Sequence, residues 1–370
     1  MAVRAGYVQL QGRLQDFRNA AGDFVAGTGL WLLILAFVGW SFLAERDAFA
    51  VGLVTGSIFA LGAIGLTLIY GVLKFGHFAH GDSMMFSAYL AFLLLTGTVL
   101  GTNEDTQLLP VHVSQLPGAN SAIWDFSFGY GLLLSMVLAS VLTAGTFIGL
   151  DRLVYRTLRK RRSGIVIFSI TSLGLSLIIR SLMFIFWGAS GRFYTRGFRS
   201  STELPFSIRV LNDQIFIFCT ALAVAGAVYL LLYRTRLGKG MRAMADNADL
   251  ARISGIDTDR IVLWTWAISG GLVGIAGVML ALQTELDPQL GFVILLPLFA
   301  ATILGGIGRP QGALVAGLVV GIVQEVAVTL DLGFVREGFP GPGYKFAIAF
   351  IVLIVILLIR PRGLFGARSR

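Results

Sequence analysis

Apolar positions along this chain gather into long runs separated by short polar stretches, and the runs are long enough to cross a hydrocarbon core, roughly 17–25 residues each. Ten such windows stand out: 26–43, 48–70, 82–100, 129–150, 164–187, 213–233, 260–283, 292–306, 311–330 and 344–359. The pattern predicts ten transmembrane helices, the eighth short for a full crossing. The connections are mostly short and none has the look of a soluble module, so residues 1–370 read as a single transmembrane domain. Residues 1–47 precede the second window and hold the first.

Composition sharpens this reading. The 370 residues are 56% hydrophobic and 13% charged, with a mean hydropathy of +0.81, whereas soluble chains carry about 25% charged residues. The lone Cys219 lies inside an apolar run, so no intrachain disulfide forms. The first 24 residues mix Arg4, Arg13, Asp16, Arg18 and Asp23 with scattered apolar residues. That is not the pattern of a cleavable signal peptide, so the run Leu30 to Leu43 is read as a retained first span.

The net charge of +9 points to the membrane once it is mapped onto the spans. With the N-terminus inside, 21 Lys and Arg residues fall on the cytoplasmic side and 7 outside, with Arg180 within a span. The positive-inside bias therefore predicts an N-in, C-in protein, and no nucleic-acid partner is needed to explain the charge. Glu104, Asp105, Glu285 and Asp287 fall outside. One loop runs against the rule: Arg192, Arg196, Arg199 and Arg209 lie in the outer segment 188–212.

Several chemistries are missing. The nearest approach to a phosphate-binding GxxxxGK[ST] loop is RLGKG at 236–240, which lacks its first glycine and its Ser/Thr. Three histidines, His77, His80 and His112, supply neither a zinc site nor a Ser/His/Asp set. An enzyme is excluded on these grounds, leaving a transport or channel subunit whose nucleotide energy comes from a partner. GLVTG (52–56), GGLVG (270–274) and GLVVG (317–321) place small residues at i and i+4 and predict close helix packing within the bundle, with a subunit interface as the alternative.

The stretch LIYGVLKFGHFAHGD (68–82) carries His77, His80 and Asp82 between two apolar runs. A metal site needs about four ligands, and a proton relay belongs deeper in the spans. The expectation is therefore a polar helix break at the inner mouth, whose side chains satisfy freed backbone groups and which is a candidate gate. Arg180 and Glu325 are the two clear intramembrane charges, each costing about 2.5–3.5 kcal/mol near the bilayer centre. Their similar distance from the cytoplasmic ends of their spans predicts that they face the bundle interior and pair. The alternative is that they line the pathway and meet the charged ends of a substrate.

The cytoplasmic segment 234–260 is more structured than a connector requires. Met241, Met244 and Ala245 fall at helical spacing, with Arg242 and Asp246 off that face. Asn247 or Asp249 is placed to cap a second short helix carrying Leu250 and Ile253, and Gly255 to end it. The segment has no bulky aromatics, which favours docking into a groove on another protein over resting on lipid headgroups. Arg242, Met244, Asn247, Leu250, Ala251, Gly255 and Ile256 are the candidate coupling contacts.

This segment, the WTWAISGGLVGIAGVMLALQ that follows, GLTLIYGVLKFGHFAHGD (65–82), ATILGGIGRPQGALVAGLVVGIVQ (301–324) and IRPRGLFG (359–366) together resemble the branched-chain amino acid permeases of ABC importers. The resemblance covers residues 48–366. It implies an all-α inner-membrane permease paired with a second homologous permease subunit, two cytoplasmic ATP-binding subunits on the coupling segment, and a periplasmic substrate-binding protein. ATP would be used by the partners, with no cofactor bound by this chain. Urea or short amides are alternative cargoes, and an ion-coupled secondary transporter is the alternative of another class. The N-terminal extension and the outer loops 101–128 and 188–212 depart from shorter members of the family.

Overall fold

The computed structural model describes residues 29–100, 105–195, 199–330, 341–359 and 363–365. Each of the ten apolar windows falls on a helix. In chain order these are α1 (Leu30–Ala44), α2 (Arg46–Leu73), α3 (His80–Thr96), α4 (Tyr130–Leu150), α6 (Ile165–Trp187), α7 (Asn212–Arg234), α10 (Thr258–Gln283), α11 (Leu290–Gly305), α12 (Pro310–Ala327) and α13 (Lys345–Ile359). α4 passes through a π-helical turn, Asp151–Tyr155, into α5 (Arg156–Lys160). Between α7 and α10 lie the short helices α8 (Arg236–Asp246) and α9 (Ala248–Ile253). Among the described residues six helices are long and apolar enough to cross a membrane, and Trp31–Ala44, Leu290–Gly305 and Lys345–Val355 are shorter apolar helices. The helical form follows from the solvent: in hydrocarbon every backbone group must be satisfied within the segment.

Helix α2 is the axis of the bundle, buried along most of its length from Gly52 to Val72. It packs on α12 through two of the glycine motifs. A Cβ on Gly56 would stand 2.8 Å from the Leu318 Cα, and one on Gly52 would stand 2.7 Å from the Ile322 Cα. The third motif seats α10 on α4, with Gly270 over Ala144 and Gly274 over Ser140. All three motifs thus bring backbones together inside one chain, in keeping with their small residues.

Successive helices alternate between two ends of the bundle. At one end Trp31 meets Phe365 at 5.4 Å, the Leu364 N–H donates to the Leu304 carbonyl at 2.6 Å, and Lys74 Nζ donates to the Ala245 carbonyl. At the other end Arg46 donates to the Phe206 carbonyl at 3.0 Å, and Arg192 and Leu286 exchange backbone hydrogen bonds. This second end carries two antiparallel hairpins, β1 (Thr98–Leu100) with β2 (Asp105–Gln107), and β3 (Ser201–Leu204) with β4 (Ile208–Leu211). The connections that carry these strands therefore have local structure of their own.

Candidate functional site

The break after α2 is deeper than its sequence position suggests. Lys74 caps α2 in a left-handed conformation, φ 61°, and the chain then turns back into the bundle, with Phe75, His77 and Ala79 buried. His80 Nε2 lies 2.9 Å from the Gly62 carbonyl. Gly62 precedes the end of α2 by eleven residues, about 16 Å of helix and about half of a hydrocarbon core roughly 30 Å thick. The break is therefore re-entrant, and α3 begins at mid-depth. This corrects the expectation of a turn at the inner mouth, and explains why α3 has only 17 residues. The freed backbone is met by a neighbouring helix, not by the side chains of the break as the sequence predicts: Ser172 Oγ of α6 accepts the Phe78 N–H at 3.0 Å and reaches the Gly76 carbonyl at 3.4 Å.

At the foot of α3, Asp82 meets Arg180 of α6. The guanidinium donates through Nε to Oδ1 at 3.0 Å and through Nη2 to Oδ2 at 2.9 Å, and Ser176 Oγ donates to the same carboxylate. The Asp82 side chain is 0% exposed and that of Arg180 18%. The Arg180 guanidinium also lies over the Phe292 ring, 4.5 Å from its centroid. The N-terminus of α11 adjoins that of α3, where a Cβ on Gly291 would stand 2.8 Å from the Asp82 Cα. A carboxylate in the first turn of a helix is favoured by the helix dipole, and here Asp82 meets that field and the Arg180 charge together.

Arg180 and Glu325 do not pair, contrary to the sequence expectation. Glu325 of α12 bonds instead to Lys345 Nζ at 2.6 Å, and Thr55 Oγ1 is 3.4 Å from its Oε1, with Gln283 Nε2 donating to Thr55 at 2.9 Å. Equal depth along two spans fixes height only; α6 packs on α3, whereas α12 packs on α2 and α13.

Around His77 the rings close into a cluster. His80 stands 5.8 Å away edge to face, Trp266 5.3 Å, Phe147 5.5 Å and Tyr155 6.0 Å. Both ring nitrogens of His77, Nδ1 of His80, the Tyr155 hydroxyl and Trp266 Nε1 have no hydrogen-bond partner among the described residues. The two histidines do not share a helical face, because residue 77 precedes α3.

In the 234–260 segment the local reading is close. Thr235 caps α8, accepting the Gly238 N–H at 3.1 Å. Asn247 caps α9, accepting the N–H groups of Asp249 and Leu250 at 3.0 Å each. Gly255 ends the pair at φ +83°. The packing differs from expectation. Met241, Met244 (7% exposed) and Ala251 turn into the chain's own bundle, so Met244 and Ala251 support the segment from beneath. The exposed surface includes Arg242, Asn247, Gly255, Leu250 (57% exposed) and Ile253 (82% exposed), together with Asp246, Asp249, Arg252 and Ser254, and Ile256 is half-buried.

The family model described as branched-chain amino acid transport system / permease component matches residues 48–357. The chain belongs to the branched-chain amino acid permease family. It is 28% identical over 320 residues to the high-affinity branched-chain amino acid transport system permease protein BraD of Pseudomonas aeruginosa, covering 85% of this chain and 94% of that one. To LivH of Escherichia coli it is 26% identical, covering 85% and 93%. To the probable LivH of Methanocaldococcus jannaschii it is 28% identical, covering 88% and 93%. No solved structure matches. The permease is thus a multi-pass inner-membrane transport protein and not a catalytic enzyme.

Sequence reasoning missed Ser176, Phe147, Tyr155 and Trp266 in this permease. One signal for the first was present: Ser169, Ser172, Ser176 and Arg180 form a polar stripe at helical spacing on an otherwise apolar span. Such a stripe marks the face that meets a polar partner, which is the re-entrant segment. The ring cluster left no comparable trace, since its members come from four separate stretches of chain.

Proposed function

We propose that this permease is a membrane-spanning subunit of an ATP-driven importer that moves branched-chain or related amino acids inward by alternating access. The observation carrying this reading is the joint between the surface segment and the break. Lys74, the cap of α2, donates to the Ala245 carbonyl of α8, and the re-entrant residues begin at the next position. A force applied to α8 and α9 reaches the most buried helix and the mid-depth break through one short connection. In this reading the ten helices are ten spans, and the basic end, with both chain termini, faces the cytoplasm. Two ATP-binding subunits dock on Asn247, Leu250, Ile253 and Gly255. A second homologous permease completes the channel, and a periplasmic binding protein meets the hairpin end. His77, His80 and Asp82 form the moving gate.

Selectivity rests with the binding protein. Arg180 is held by Asp82 and Glu325 by Lys345, so each charge already has its counter-ion and neither favours an anionic or a cationic cargo. The branched-chain assignment is carried by the relatives. The test is uptake of radiolabelled leucine into proteoliposomes holding the co-purified complex, with ATP supplied to the nucleotide-binding side and the binding protein to the other. Uptake should stop with vanadate, persist with a protonophore and resist competition by urea. Arrest by the protonophore with indifference to vanadate would reverse the reading toward ion-coupled transport.

A further inference from the structure

Between α7 and α12 the helices part over Ile64 of α2, which is itself buried. The resulting cleft, ≈ 330 Å³, is walled by Ile64 of α2, Leu222 and Gly226 of α7, and Leu314 and Val315 of α12. Nothing lies within 4 Å of the point where a Cβ on Gly226 would stand, so the glycine opens onto free space and holds no other helix close. Toward the basic end the cleft runs into a second cavity of ≈ 180 Å³, the two sharing Leu232, Tyr233, Pro310 and Gln311. There the walls change character. Arg242 and Arg309 line the mouth, and the Arg242 guanidinium lies 4.6 Å from the Tyr233 ring centroid. No carboxylate among the described residues pairs with either arginine.

We infer, resting on the orientation proposed above, that this cleft holds one anionic glycerophospholipid of the inner leaflet, its phosphate between Arg242 and Arg309 and an acyl chain lying against Ile64 and Gly226. Lipid tails are as apolar as the helix faces they touch, so the cleft alone gives little preference for one occupant over another. The arginines supply it, because basic pockets between spans on the cytoplasmic side select anionic headgroups, and a guanidinium binds a phosphate through two hydrogen bonds. An apolar slot leading to a mouth with two unpaired cations has the shape and polarity of a lipid, head and tail. The phosphate then touches Arg242 on α8, so an anionic lipid braces the surface segment against the bundle.

The test is native mass spectrometry of the permease, with whatever subunits accompany it, purified from mixed phosphatidylethanolamine–phosphatidylglycerol nanodiscs. The wild type should retain phosphatidylglycerol in preference to phosphatidylethanolamine. Arg309→Gln should lower the retained phosphatidylglycerol about fivefold, the effect of one basic residue near the surface, and Gly226→Phe should displace it by filling the slot. Should a variant fail to fold, a photoactivatable phosphatidylglycerol added to the wild type should label the 222–233 and 309–315 peptides. Equal retention of both lipids by the wild type, wild-type retention by both variants, or labelling elsewhere would overturn the inference. So would a photocross-link from benzoylphenylalanine placed at Gly226 to a second permease subunit, which would make the cleft a subunit interface.

Discussion

Removing the charge of Asp82 tests whether the mid-depth pair holds the re-entrant break in place. In Asp82→Asn the Arg180 guanidinium loses both charge-assisted bonds, at 3.0 and 2.9 Å, and keeps Ser176 and the Phe292 ring. Stranding one partner of a buried pair costs about 3–5 kcal/mol. A desolvated cation–π contact returns about 2 kcal/mol at most, but it is present before and after the change and offsets nothing new. The expected loss is therefore ~3 kcal/mol, with a similar loss for Arg180→Gln. The double variant leaves no unpaired charge and should cost only ~2 kcal/mol, since replacing both members of a buried pair is often close to neutral. Against ~6 kcal/mol for the summed single variants, that is a coupling of ~4 kcal/mol, somewhat beyond the usual range for contacting residues, as befits a bidentate pair with a fully buried carboxylate. The assay is denaturant unfolding in detergent, followed by intrinsic Trp fluorescence. Additive losses, or an Asp82→Asn loss below about 1 kcal/mol, would refute the reasoning.

Three further outcomes follow from the geometry. Gly56→Leu should abolish folded protein on a size-exclusion profile, because its Cβ meets the α12 backbone, while Gly174→Leu should be tolerated, having nothing within 4 Å. Leu250→Glu should leave unfolding unchanged, since the side chain is exposed, and should lower leucine-stimulated ATPase activity of the complex by tenfold or more. His80→Ala removes the group facing the Gly62 carbonyl and should slow uptake without loss of assembly; uptake and assembly both at wild-type levels would remove His80 from the gate.

The helices were legible because a span declares itself by the length of its apolar run, and caps were legible because they are local. Asn247 and Gly255 act on backbone groups within three residues, so their roles follow from type and position. Depth and azimuth were not legible. The apolar run beginning at 82 suggested that Asp82 sits where a span emerges, an inference that holds only if helices start at the surface. A re-entrant segment breaks that assumption, and so hid the carboxylate that pairs with Arg180. Lys345 was hidden in the same way, as the edge of the last span, although a long side chain reaches inward from such an edge to Glu325. The apolar face of Met241 and Met244 was correctly periodic, but periodicity does not say whether a face meets a partner or the chain's own bundle.

In the proposed importer the exposed surface of α8 and α9 receives an ATP-binding subunit. The most direct measurement replaces Leu250 by photoreactive benzoylphenylalanine in the full chain, irradiates native membranes, and identifies the adduct by mass spectrometry. The expected product is a cross-link to an ATP-binding subunit, changing in yield when vanadate traps the nucleotide. Adducts to lipid alone, in membranes that still take up leucine, would contradict it.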